Sequence, residues 1–132
     1  MTLHRRRCLL LLAALPVWAG AADALPQAMR RAEALRDDAL RAGDQPFGAV
    51  VLRGEIIVGA APSRVITAND PTAHAEMEAI RDAARRLGTR DLAGCVLVST
   101  SRPCRMCEAA AGWAGISRLV YGAALTDAVT PR

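Results

Sequence analysis

The sequence predicts an α/β domain: a β-hairpin first, then alternating helices and strands, with a sheet that is largely parallel beyond the hairpin. Three observations lead there. Apolar residues recur at helical spacing from Leu25 to Ala42. Two short apolar runs, Gly48 to Leu52 and Ile56 to Ala60, are joined by Arg53-Gly54-Glu55. Further on, apolar runs of strand length alternate with stretches of helical period. The chain has 132 residues, enough for one domain with a modest core. With 52% apolar and 23% charged residues it has the composition of a folded body.

The front end reads as a targeting segment. Met1 to Arg7 is basic, Cys8 to Val17 is apolar, and Ala19-Gly20-Ala21 offers small residues for cleavage. The uncharged span from Cys8 to Ala22 is 15 residues, short of the ~20 a spanning helix needs. Residues 1–21 are therefore expected to be a signal peptide and 22–132 the functional domain, with no stable membrane span. Arg6-Arg7-Cys8-Leu9-Leu10 resembles a twin-arginine signal, which implies export of an already folded protein to the periplasm or beyond. A metal site could then fill before its thiols meet an oxidising compartment.

In the mature chain, Leu25, Ala28, Met29, Ala32, Leu35, Ala39 and Leu40 mark the buried face of the first helix, with Gly43 suited to cap it. Gly54 suits a tight hairpin that needs a positive φ. Residues 61–69 form a loop. Asp70 or Thr72 can cap the next helix, with Pro71 near its first turn and Met77, Ile80, Ala84 and Leu87 on its buried side. That helix ends at Gly88. Cys95 to Ser99 is a third strand, Cys104 to Ala114 a short helix, and Leu119 to Tyr121 a fourth strand.

Charge limits the partners. Arg5, Arg6 and Arg7 supply three of the 17 basic residues, which leaves 14 against 13 acids in the rest of the chain. A net charge of +1 is no electrostatic footprint for nucleic acid. Only four aromatics are present, few platforms on which to stack successive bases.

The chemistry lies between Asp70 and Cys107. Asp70-Pro71-Thr72-Ala73-His74-Ala75-Glu76 and Pro103-Cys104-Arg105-Met106-Cys107 both fall at expected helix starts after strands, where α/β sheets build sites. Cys104 and Cys107 are three apart, so their sulfurs share one face of a first turn. A helix N-terminus also favours the thiolate that binds metal. His74 would add a nitrogen. Three protein ligands leave a fourth position for water, the layout of a catalytic zinc. Glu76 stands two residues from His74, a spacing that by itself does not make the two converge. Cys95, in an apolar strand, reads as core.

These two motif halves, in this order, are the signature of zinc-dependent base deaminases, and the chain resembles the cytidine deaminase-like superfamily. Within it, it is most similar to bacterial guanine deaminases and tRNA adenosine deaminases. Pro46-Phe47-Gly48-Ala49-Val50, Val120-Tyr121-Gly122-Ala123 and Trp113 support the match, which covers about residues 26 to 125. The resemblance implies a three-layer α/β/α domain with a mixed sheet, often a homodimer. It implies Zn2+ on His74, Cys104 and Cys107, Glu76 as proton shuttle, and Phe47 and the Ala75 backbone along the base pocket. It places Ser63 near the position of a base-gripping asparagine and Trp113 where guanine deaminases carry tryptophan. Three departures stand out: Ser63 and Arg64 near that asparagine position, Arg102 where a glutamate is usual, and shortened C-terminal elements.

The expected function is hydrolytic deamination of a free nucleobase or nucleoside, guanine favoured, with release of ammonia. Two other readings stay open. One is a non-catalytic zinc- or base-binding module; the other, resting on Cys104-x-x-Cys107, is a thiol-disulfide oxidoreductase.

Overall fold

A computed structural model describes residues 20–128. Residues 1–19 of the expected export segment lie outside the described residues. After a 3-10 turn at Ala21–Asp23 come α1 (Ala24–Arg41), β1 (Gly48–Arg53), β2 (Ile56–Pro62), α2 (Ala75–Leu87), β3 (Cys95–Ser99), α3 (Arg105–Trp113), β4 (Arg118–Tyr121) and β5 (Thr126–Ala128). The strands form one sheet in the order β2-β1-β3-β4-β5.

The sheet is mixed, and less parallel than the alternation of elements suggested. Only β3 and β4 pair in parallel. β1 is antiparallel to both β2 and β3, and β5 is antiparallel to β4. The reason is that β3 docks beside the first hairpin strand, β1, and not beside β2, so the β2-α2-β3 crossover passes over β1. β5, which the sequence pattern did not suggest, is a three-residue edge strand held to β4 partly by the Arg118–Asp127 ion pair.

Strand alternation sorts the core into two layers. Val50, Leu52 and Val98 face Ala28, Met29, Ala32 and Leu35 of α1. Ala49, Val51, Cys95, Leu97 and Leu119 face the other way, toward Ala75, Ala79 and Ala83 of α2 and Ala111 of α3. The result is three layers, helix–sheet–helices. Cys95 is buried in this second layer as a free thiol, the core role expected of it.

Two glycines set how closely the helices approach. A Cβ on Gly48 would lie 2.0 Å from the Ala32 carbonyl oxygen, and one on Gly59 would lie 2.5 Å from that of Ala79. Both positions are backbone-on-backbone contacts that any side chain would break. The contact at Gly59 explains why the buried stripe of α2 is Ala75, Ala79 and Ala83, with Met77, Ile80, Ala84 and Leu87 only half-buried. Where it meets Gly59 the helix has room for methyl groups alone, and its larger apolar residues are displaced to the flanks. Leu40, expected on the buried face of α1, is exposed in that helix's last turn.

The topology also decides where the site can be. β2 and β3 flank β1 and are each antiparallel to it, so they run in the same direction. Their carboxyl ends meet the start of β1, where Gly48 pairs with Pro62 and Ala49 with Ser99. The segments leading to α2 and α3 therefore leave the sheet at one edge.

Candidate metal centre

Each helix start presents a ligand. His74 is the N-cap of α2 and Cys104 the N-cap of α3, both in extended backbone, and neither side chain caps its helix. This corrects the expectation that Asp70 or Thr72 caps α2. Asp70 instead accepts hydrogen bonds from the Thr72 amide and hydroxyl at 2.8 and 2.7 Å, closing a turn around Pro71. With its ring free of capping, His74 can turn toward α3. Cys107 follows one turn into α3 and is buried.

The three side chains converge. His74 Nδ1 lies 3.6 Å from Cys104 Sγ and 3.7 Å from Cys107 Sγ, and the two sulfurs are 3.6 Å apart. Tetrahedral zinc, with Zn–S about 2.3 Å and Zn–N about 2.0–2.1 Å, requires S···S edges of about 3.8 Å and N···S edges of about 3.6 Å. The donor set and its edges fit zinc. Among the described residues, His74, Cys104 and Cys107 are the one group of His, Cys, Asp or Glu side chains so arranged.

Burial pushes the Cys107 thiol far above its usual range, and the neighbouring Glu76 carboxylate and Cys104 add to the effect. At Cys107, desolvation works against the favourable partial charge of the helix start. A cation between the sulfurs reverses that balance.

Glu76 is only 4% exposed. One carboxylate oxygen, Oε1, accepts a hydrogen bond from Ser99 Oγ at 2.7 Å, and Oε2 lies 3.6 Å from Cys107 Sγ. The first turn of α2 thus brings His74 and Glu76 to one site, which their spacing alone left undecided. Ser99, fully buried at the end of β3, also receives the Ser101 amide at 3.4 Å. A cavity of about 140 Å3 opens over these groups and is lined by His74, Glu76 and Cys104 together with Gln45, Phe47, Ser101 and Arg102.

The other sequence-predicted positions are distributed differently. Phe47, just before β1, lines the cavity. Ala75 is fully buried in the α2–sheet layer, with its amide in the helix's first turn, where the helix supplies no acceptor. Ser63 does not line the cavity. It is buried, and its hydroxyl donates to Asp44 Oδ1 at 2.9 Å. Trp113 is not brought to the site. At the end of α3 it is 90% exposed and borders an apolar groove of about 420 Å3 with Ile80, Ala84 and Leu92.

Sequence reasoning passed over four residues: Ser99, Asp44, Gln45 and Ser101. Ser99 carried a signal, a polar residue closing an otherwise apolar strand. Asp44 carried none. Buried after α1, it accepts hydrogen bonds from the Gln45 amide, the Ser63 hydroxyl, and the amide and hydroxyl of Thr67, each at 2.8–2.9 Å. Burial pushes its carboxyl up, but these four bonds outweigh it and hold the carboxyl well below the usual carboxylate range. Asp44 thereby ties the 63–70 loop to the α1–β1 connection that carries Gln45 and Phe47.

A mixed-sheet α/β/α sandwich with a His-Cys-Cys metal site at paired helix starts defines a class of metal-binding domain. Residues 23–123 match the profile of the cytidine and deoxycytidylate deaminase zinc-binding region, and the chain belongs to that family. It is 42% identical over 101 residues to a guanine deaminase of Bacillus subtilis, covering 76% of this chain and 65% of that one. It is 41% identical over 85 residues to a tRNA-specific adenosine deaminase of Aquifex aeolicus, covering 64% of this chain and 56% of that one. The crystal structure of the B. subtilis guanine deaminase superimposes with a TM-score of 0.71 at 39% identity, covering 74% of this chain and 63% of the other. The chain thus spans just under two thirds of the guanine deaminase and just over half of the tRNA-specific enzyme. The fold expected from the resemblance is the fold observed.

Proposed function

We propose that the chain is a zinc-dependent hydrolytic deaminase acting on a free nucleobase or nucleoside, with guanine the favoured substrate. The observation that carries the reading is Glu76: a buried carboxylate, fixed by Ser99, beside three metal ligands and inside a cavity. His74, Cys104 and Cys107 would hold zinc, which when bound would supply a water activated at neutral pH. Glu76 accepts one proton from the attacking water and delivers it to the ring nitrogen beside the reacting carbon. It then takes the second proton, from the new hydroxyl on that carbon, and passes it to the amine as the C–N bond breaks. Water and the aminated base become the oxo base and ammonia.

Size supports a base as the occupant. Pockets for drug-sized ligands run to about 300–1,000 Å3, and the cavity of about 140 Å3 has room for a single ring system between Phe47 and the ligands. The relatives include both a guanine deaminase and a tRNA-specific adenosine deaminase. Near-neutral charge after residue 21 favours the small molecule over tRNA. A dithiol oxidoreductase fits poorly, because it gives no role to His74 and Glu76, which lie 3.6 Å from Cys104 Sγ and Cys107 Sγ respectively. Among the described residues no helix is long and apolar enough to cross a membrane. A homodimer is proposed on the apolar groove beside exposed Trp113, and light scattering reads it directly. Export rests on residues 1–21 alone.

The test is ammonia release from guanine, adenine, cytosine, their nucleosides and tRNA, with metal content measured on the same sample. Glu76→Gln is expected to keep its zinc and lose activity by about 100- to 10,000-fold, the range for a removed general acid–base. Zinc-loaded protein inert across the panel would refute catalysis.

A further inference from the structure

We infer that Arg102 is a specificity-determining residue of this site, reading the O6 and N7 acceptors on the outer rim of guanine. The inference rests on the proposed guanine reaction and goes beyond it. Arg102 lines the same cavity as His74, Glu76 and Cys104. Glu76 is buried and Arg102 exposed, so the cavity has a carboxylate at its floor and a guanidinium at its mouth. Among the described residues Arg102 has no carboxylate within ion-pair distance, whereas Arg36, Arg41, Arg81, Arg85, Arg86 and Arg118 all do. Its fork of donors is thus available to whatever enters.

The geometry of guanine completes the argument. Its reacting amine is on C2, and deamination there directs C2 and its flanking ring nitrogens to Glu76 on the floor. The opposite rim, carrying O6 and N7, then faces the mouth. Two adjacent acceptors are what a planar guanidinium matches bidentately, and this pairing is the commonest specific Arg–guanine contact. Ser63, the residue near the expected base-gripping position, is committed to Asp44 and unavailable. Arg102 takes over recognition from the other wall.

The experiment compares wild type, Arg102→Gln and Arg102→Lys on guanine and 7-deazaguanine, which carries C–H in place of N7. Wild type is expected to prefer guanine by about 10- to 100-fold in kcat/KM. Arg102→Gln is expected to raise the guanine KM by a similar factor, with kcat little changed, since the contact is made equally before and during reaction. In that variant the preference for guanine over 7-deazaguanine collapses toward one, and Arg102→Lys, a single point charge, retains part of it. Zinc content and melting temperature should match wild type. A guanine-active enzyme whose Arg102→Gln variant keeps its KM, or keeps full discrimination against 7-deazaguanine, overturns the assignment while leaving the guanine reaction standing. A larger loss on guanosine monophosphate than on guanine would assign Arg102 to phosphate and also overturn it. Wild type inert toward guanine overturns the substrate reading and this inference together.

Discussion

Replacing Ser99 with alanine should disable Glu76 without touching the metal. Ser99 Oγ donates at 2.7 Å to Glu76 Oε1, and both groups are buried. A hydrogen bond to a charged group contributes about 1.5–3 kcal/mol. At ~1.4 kcal/mol per decade, loss of that restraint corresponds to about 10- to 100-fold in kcat/KM. The carboxylate keeps its position on α2 but loses the contact that fixes its orientation, so the loss should fall mainly on kcat. The Ser99 side chain hydrogen-bonds to Glu76 and the Ser101 amide and to no metal ligand, so zinc per chain should be unchanged. Steady-state ammonia release, metal analysis and a double-substitution cycle with Glu76→Gln make the assay. Because Ser99 acts through Glu76, adding Ser99→Ala to Glu76→Gln should cost almost nothing further. Equal losses from Ser99→Ala in both backgrounds, or activity within twofold of wild type, would refute the reasoning.

Two other outcomes are expected. The Asp44 carboxyl is held below its unfolded value, so its contribution to stability is complete above the ordinary carboxylate pKa, about 3.9, and fades as pH falls toward the lowered folded one. Asp44→Asn should therefore melt lower than wild type at neutral pH, with the gap closing in acid; a gap constant from pH 7 to pH 2 would contradict this. Chelation should expose the thiols in order when alkylation is followed by mass spectrometry: exposed Cys104 first, buried Cys107 more slowly, and core Cys95 only on unfolding. Rapid alkylation of Cys104 and Cys107 before chelation would argue against metal in the purified protein.

Much of the fold was legible because its signals are local. The hairpin at Gly54, which has φ 61°, the helix end at Gly88, which has φ 65°, and the helical period of α1 each depend on residues a few positions apart. Strand partnership is not local. Nothing in β1, β2 or β3 taken singly announces that β1 sits between the other two, and that order decided how parallel the sheet is. Close approach is equally silent: Gly59 reads as an ordinary strand glycine until the Ala79 carbonyl stands against it.

The site divides along the same line. His74, Cys104 and Cys107 were evident from residue type and spacing, because a metal centre needs particular donor atoms and few side chains supply them; Glu76 entered through the resemblance. Their convergence was decided by tertiary structure, through two strands flanking a third and delivering two helix starts to one edge. So were the residues around them. Ser99 meets Glu76 across 23 positions and Ser63 meets Asp44 across 19, distances over which sequence spacing carries no geometric information. The chain by itself determined which chemistry it can hold. Only the fold decided that Arg102 and Phe47 share the cavity, that Ser63 braces a loop, and that Trp113 stands in solvent, because burial and direction belong to the packed molecule and not to any stretch of it.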